Sequence, residues 1–198
     1  YIQTCTEQNV TVDNDVIEND YVPNNKSKSL EELRSYSEEI GSNYLVRKEK
    51  YGEDLAGMQE LVLYGIKGVS AYHEHCNNLG KIDENVMGKL NSILASLTEE
   101  PTVEGLLQSA LAVGEINLQV TGLLEELHTT RYGNPEPTSV RTTAIKGKSI
   151  LVSGHDLVEL ESILKQTQGK GINVYTHGEL LPANAYPELK KYEHLIGN

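Results

Sequence analysis

SILVSGHDLVELESILKQTQGKGINVYTHGELLP, Ser149 to Pro182, spells a strand, a turn, a helix and a second strand. Ile150 to Val152 is a short apolar run stopped by Ser153 and Gly154. Leu157, Val158, Leu160, Ile163 and Leu164 then recur at helical steps, and Gly169, Lys170 and Gly171 break that helix. Ile172 to Tyr175 reads as a second buried strand leading into His177, Gly178 and Glu179. A helix between two strands is long enough to return the chain in the same direction, so the unit is βαβ with parallel neighbours.

Loops at the carboxyl ends of such strands leave the packed layer and face a common crevice where ligands bind. His155 and Glu179 both fall at that edge. With adjacent strands roughly 4.8 Å apart, an imidazole nitrogen and a carboxylate oxygen from the two loops can converge on one ion, a candidate half of a metal site. The competing reading of a loop histidine is an exposed surface side chain. Asp156, next in sequence, suits the N-cap of the following helix better than a ligand position.

The wording of these motifs adds to the spacing. SGHDL, followed by QTQGKGINVYTHGELLPANAYPELKKYEHLIGN, resembles the hybrid cluster protein (prismane, hydroxylamine reductase) family. LVLYGIKGVSAYHEHCNNLG and RYGNPEPTSV resemble that family's helical region and its link to the cluster domain, so the likeness runs from about Leu55 to Asn198. The resemblance implies a cytoplasmic oxidoreductase that reduces hydroxylamine to ammonia, with nitric oxide as a second proposed substrate, at an iron-sulfur-oxygen hybrid cluster. It further implies that the His of SGHDL and the Glu of THGE, here His155 and Glu179, are cofactor-binding metal ligands. Imidazole and carboxylate are N/O donors suited to iron sites that exchange oxygen species.

Composition narrows the alternatives. The chain has 198 residues and a formal net charge of −12, and its aromatic residues are all Tyr. A core must therefore be built from Leu, Ile and Val, and the acidic surface disfavours nucleic acid and anionic membranes as partners. No apolar run approaches the ~20 residues of a membrane span, and YIQTCTEQNV lacks the features of a signal peptide. Cys5 and Cys76 form no CxxC pair, which excludes a zinc site or a thiolate-held cluster within this chain.

Residues 1–28 have the Asn-, Asp- and Glu-rich composition of a linker or poorly ordered segment. Residues 29–130 read as an antiparallel helical bundle. Ser29 and Glu32 form a capping box for a helix ending near Ile40. Leu55, Met58, Val62, Gly65, Val69, Tyr72, Cys76 and Leu79 form one apolar stripe, with Gly65 and Gly68 allowing a neighbouring helix to approach and Cys76 an inert core thiol. A shorter helix starts at Asp83 or Glu84. A last one, capped by Thr102, turns Leu106, Leu107, Ala110, Val113, Gly114, Asn117, Val120 and Leu124 inward. His73 and His75 point about 200° apart on a helix, so they cannot share an ion and are structural or solvated. Residues 131–147, with Pro135 and Pro137, read as an interdomain linker that buries little, and 148–198 as the start of a Rossmann-like cluster-binding domain. His194 is expected at the surface.

The departures from the family pattern weigh equally. The N-terminal cysteine motif that holds a second, conventional iron-sulfur cluster is absent, as are the later cysteines, Glu and Lys that complete the hybrid-cluster ligand set. The chain is therefore expected to be an internal fragment, inactive and without a cluster by itself. Its parent's partners would be a small nitrogen substrate, a redox donor and the remaining domains of the same protein. The alternative is a stand-alone, non-catalytic α/β binding or interaction module with the family shape.

Overall fold

The computed structural model describes residues 29–39 and 44–198. The chain divides into two units, Tyr1–Val46 and Arg47–Asn198. In the first, helix α1 (Leu30–Glu39) is capped by Ser29, whose Oγ accepts the Glu32 N–H at 3.1 Å. Ile40 and Gly41, the expected end of that helix, lie outside the described residues, as do residues 1–28 with Cys5. A short helix, α2 (Tyr44–Tyr51), is one that sequence periodicity does not announce.

The second unit, which begins within α2, holds three long helices, α3 (Glu53–Asn78), α4 (Glu84–Ser96) and α5 (Val103–Tyr132), packed as an up-down-up bundle in which α4 runs antiparallel to the other two. Val62, Ile66, Val69 and Cys76 of α3 meet Val86 and Leu90 of α4 and Val113, Ile116, Val120 and Leu124 of α5 in one core. Asp83 caps α4 through the Asn85 and Val86 N–H groups, and Thr102 caps α5 through that of Gly105. The buried face of α3 is turned from the expected stripe. Ala56, Gln59, Ile66 and His73 are inside, whereas Tyr72 is 37% exposed. A tyrosine can leave its hydroxyl in water only near the surface, and a buried histidine is tolerated when its nitrogen is bonded. On α5 the expected inward residues Leu107 and Gly114 are exposed and Ile116 takes their place.

After α5 the chain forms β1 (Lys148–Ser153), helix α6 (Leu157–Thr167), β2 (Ile172–His177), a 3-10 segment (Gly178–Ala185), helix α7 (Pro187–Lys190) and β3 (Leu195–Gly197). The strands are all parallel in the order β1-β2-β3, with Lys148 opposite Ile172 and Ser153 opposite His177. This is the expected βαβ unit of a Rossmann-like sheet, extended by one strand. Leu157, Leu160 and Leu164 of α6 pack on Val174, Leu180, Ala183, Leu189 and Tyr192 in a second core. Ile150 and Leu151 do not share in it. β1 is the edge of the sheet, and Leu151 is 67% exposed.

Tyr132, placed by sequence in a link that buries little, is 1% exposed in that second core. Burial raises its phenol far above the ordinary range, because the phenolate would lose its water. Beside it, Glu161 accepts from Arg131 at 2.8 Å and from Lys165 at 2.7 Å, which ties α5 to α6. Burial pushes that carboxyl up, but the hydrogen bonds from Lys165 and Arg131 outweigh it and hold the group below its usual value. The residues before β1 bond to the sheet unit as well: Glu136 N–H to the Ala185 carbonyl at 3.0 Å, Asn198 N–H to the Arg141 carbonyl at 3.0 Å and Ile145 N–H to the Tyr175 hydroxyl at 2.9 Å. His194, expected at the surface, is half-buried, with Nε2 2.9 Å from Thr167 Oγ1 and 3.1 Å from the Leu164 carbonyl.

Candidate functional site

β1 and β2 end in register, and each is followed by a glycine in a backbone conformation that other residues rarely adopt: Gly154 at φ 129° and Gly178 at φ 56°. These turns take the chain out of the sheet immediately before His155 and Glu179. The two side chains meet at the carboxyl edge, His155 Nε2 against Glu179 Oε2. The imidazole nitrogen and the carboxylate are thus aimed at one point, with both side chains more than half exposed. The pair stands where parallel-sheet proteins place their ligands.

Two further residues share the edge. Ser153 Oγ and His177 Nδ1, directly opposite each other on β1 and β2, lie 3.4 Å apart. The sequence ends its two apolar runs at Val152 and Tyr175; the strands run on to Ser153 and His177, and that extra length sets the two residues opposite each other. Among the described residues, no group of three or more His, Cys, Asp or Glu side chains is arranged to hold a metal ion. His155 and Glu179 therefore make a two-donor set.

Beneath the His155 loop, Asp156 caps α6 as its sequence position predicts. Its Oδ1 accepts the Val158 N–H at 2.7 Å and the Glu159 N–H at 3.2 Å. Oδ2 turns the other way, to Asn78 Nδ2 at 3.3 Å and His75 Nδ1 at 3.3 Å. His73 and His75 are indeed divided between separate jobs: His73 Nε2 accepts the Asp83 N–H at 3.0 Å at the start of α4. Nearby His128 is held below the ordinary histidine range, first by burial and then by the proximity of His75.

Cys76 is fully buried in the bundle, its Sγ 4.0 Å from the Val120 carbonyl, and burial pushes the thiol up, away from the thiolate a metal would need. A furrow of about 820 Å³ runs between α4 and α5, lined by Lys89, Ser92, Glu115 and Gln119 among others. It shares no residue with the strand edge. No helix among the described residues is long and apolar enough to cross a membrane.

The family model of the Prismane/CO dehydrogenase family matches residues 4–198. Hydroxylamine reductases from three strains of Yersinia pseudotuberculosis (YPIII, PB1/+ and IP32953) are each 48% identical to the chain over 152 residues. The match covers 76% of this chain and 28% of each relative, so the chain spans little more than a quarter of the length of these curated proteins. The match over nearly the whole chain shows that it belongs to the Prismane/CO dehydrogenase family.

Proposed function

We propose that the protein carrying this chain is an oxidoreductase that reduces hydroxylamine to ammonia, with nitric oxide as a second substrate, and that His155 and Glu179 are ligands to iron in its hybrid iron-sulfur-oxygen cluster. The observation that carries this reading is the convergence of His155 Nε2 and Glu179 Oε2 at the carboxyl edge of two parallel strands. The donor set fits part of such a group. An imidazole and a carboxylate suit the oxygen-exchanging iron of a mixed cluster, and sulfur ligands would come from elsewhere in the protein.

When bound, the cluster supplies the electrons and a metal site open to the substrate. The chain's own residues do the rest of what can be derived. His155 offers a ring nitrogen from a loop fixed on one side by the α6 cap. Glu179 offers an exposed carboxylate on the 3-10 segment. Both are first residues after a glycine turn, so their directions are set by the backbone. The Yersinia proteins are named hydroxylamine reductases, which supports the same substrate here. We further propose that the parent takes its electrons from a redox donor, carries a second conventional cluster outside this chain and works in the cytoplasm.

The test is anaerobic purification of the full-length protein with His155→Ala or Glu179→Ala. Iron content and hydroxylamine turnover should fall together in both variants. A His155→Ala protein with unchanged iron and turnover would remove the basis for the assignment.

A further inference from the structure

We propose that His75 and Asn78, in the last turn of α3, are positioning residues for His155 and act through Asp156. The inference rests on the assignment of His155 and Glu179 as metal ligands. His155 is flanked by a glycine turn on one side and by Asp156 on the other, so the backbone at Asp156 sets where the imidazole starts. An N-cap needs one carboxylate oxygen. Oδ1 serves both capping N–H groups, and Oδ2 is left for α3.

His75 and Asn78 are three residues apart, hence on one face of their helix, and both reach Oδ2 at 3.3 Å. Asp156 and His75 are largely shielded, their side chains 10% and 20% exposed. His75 Nδ1 is buried and within ion-pair reach of Oδ2, but it is outside hydrogen-bond geometry and has no other hydrogen-bond partner. A buried nitrogen aimed at a carboxylate it only half engages is a costly arrangement for packing alone. It is suited to a loop whose exact seat matters. Outer partners of metal ligands act in this way, fixing orientation so that the ion meets donors already in place.

The probe is Co²⁺ alone, titrated into the 198-residue chain and followed by paramagnetic broadening of the His155 ring resonances. The variants are His75→Phe with Asn78→Ala, His75→Asn as the conservative replacement, and Glu179→Ala as the ligand control. The double variant should weaken Co²⁺ binding at His155 by about tenfold and speed amide exchange at Val158 and Glu159, whereas His75→Asn, which returns a nitrogen donor to the same place, should restore most of both. Asn78→Ala alone, an exposed change, keeps the comparison available if the double variant folds poorly, and should give a smaller loss of the same kind. Full Co²⁺ affinity in the double variant, with affinity lost in Glu179→Ala, overturns the positioning role and leaves the ligand assignment standing. Absence of a Co²⁺ response in every protein overturns the proposal for this chain, since positioning of His155 needs a site the pair can form by itself, while the ligand assignment stands or falls on the iron content of the full-length variants.

Discussion

Gly65 on α3 faces Val113 on α5 so closely that a Cβ at Gly65 would lie 2.8 Å from Val113 Cγ1. Val113 is 5% exposed and β-branched, so its methyl has one favoured seat on the helix and little room to leave it. Gly65→Ala should therefore destabilise the protein by about 1 kcal/mol or more. Gly68 makes the contrast, since a Cβ there meets nothing within 4 Å. Gly68→Ala should stabilise by up to about 1 kcal/mol, the helix-propensity difference. Urea midpoints of the two variants check the pair, and equal shifts would mean that the helices do not touch at Gly65.

His128 gives the fold a pH dependence with a definite sign. The ring packs against Tyr132 and Tyr186 with centroids 6.3 and 6.2 Å away, and its folded-state value is depressed by burial, then by His75, with Asp156 opposing. The folded state thus prefers the neutral ring, and the unfolded chain binds the proton first. Stability from this group is fully present above the ordinary histidine value and is lost as pH falls from there through the lowered folded value. His128→Phe keeps a ring and removes the titration. Urea midpoints should fall less between about pH 7.5 and about pH 5.5, the span around the histidine range, in the variant than in the parent chain, and parallel slopes would rule His128 out as the source.

Thr176 joins the site to the end of the chain. Fully buried on β2, its hydroxyl accepts from Asn184 Nδ2 at 2.8 Å and donates toward Asn198 Oδ1 at 2.9 Å and the Gly197 carbonyl at 3.2 Å. Thr176→Val keeps the volume but leaves these groups facing a methyl, at a cost of about 1–3 kcal/mol. Thr176→Ser keeps the hydroxyl and loses one methyl, at about 0.8 kcal/mol. Thermal melts should rank Ser above Val, and the reverse order would mean that the methyl's packing matters more here than the hydroxyl's hydrogen bonds.

How much of this was legible depends on length and on partners. The βαβ unit showed itself because α6 carries a full helical pattern between two apolar runs and because Gly169 and Gly171 mark its end. Topology put His155 and Glu179 at one edge of the sheet, and the wording of SGHDL and THGE singled them out there. β3 was hidden, since three residues carry no period, and it exists because Val174 N–H bonds the His194 carbonyl at 2.8 Å. Gly197 there passes under the Arg141 carbonyl, which a Cβ would strike at 2.0 Å. The burial of His73, His194 and Tyr132 was likewise out of reach, because each depends on a bond or ring contact from another element. Periodicity locates an apolar face but does not say which polar residue will find a partner.

Two adjacent residues, His155 and Asp156, should respond very differently to the same substitution. His155 and Glu179 meet through side chains that are both more than half exposed. Exposed polar contacts of this kind contribute little, because water competes for both groups and two side chains must be held still. His155→Ala should therefore change the stability of the chain by no more than about 0.5 kcal/mol. Asp156→Ala removes both capping bonds to α6 and the contacts to Asn78 and His75, and it leaves the Val158 and Glu159 N–H groups without their acceptor. Its cost should be about 1–2 kcal/mol. Urea unfolding of the two variants measures the difference directly. If His155→Ala were the more damaging, the residue would be part of the scaffold, and a loss of iron in the full-length variant would then report unfolding instead of a missing ligand.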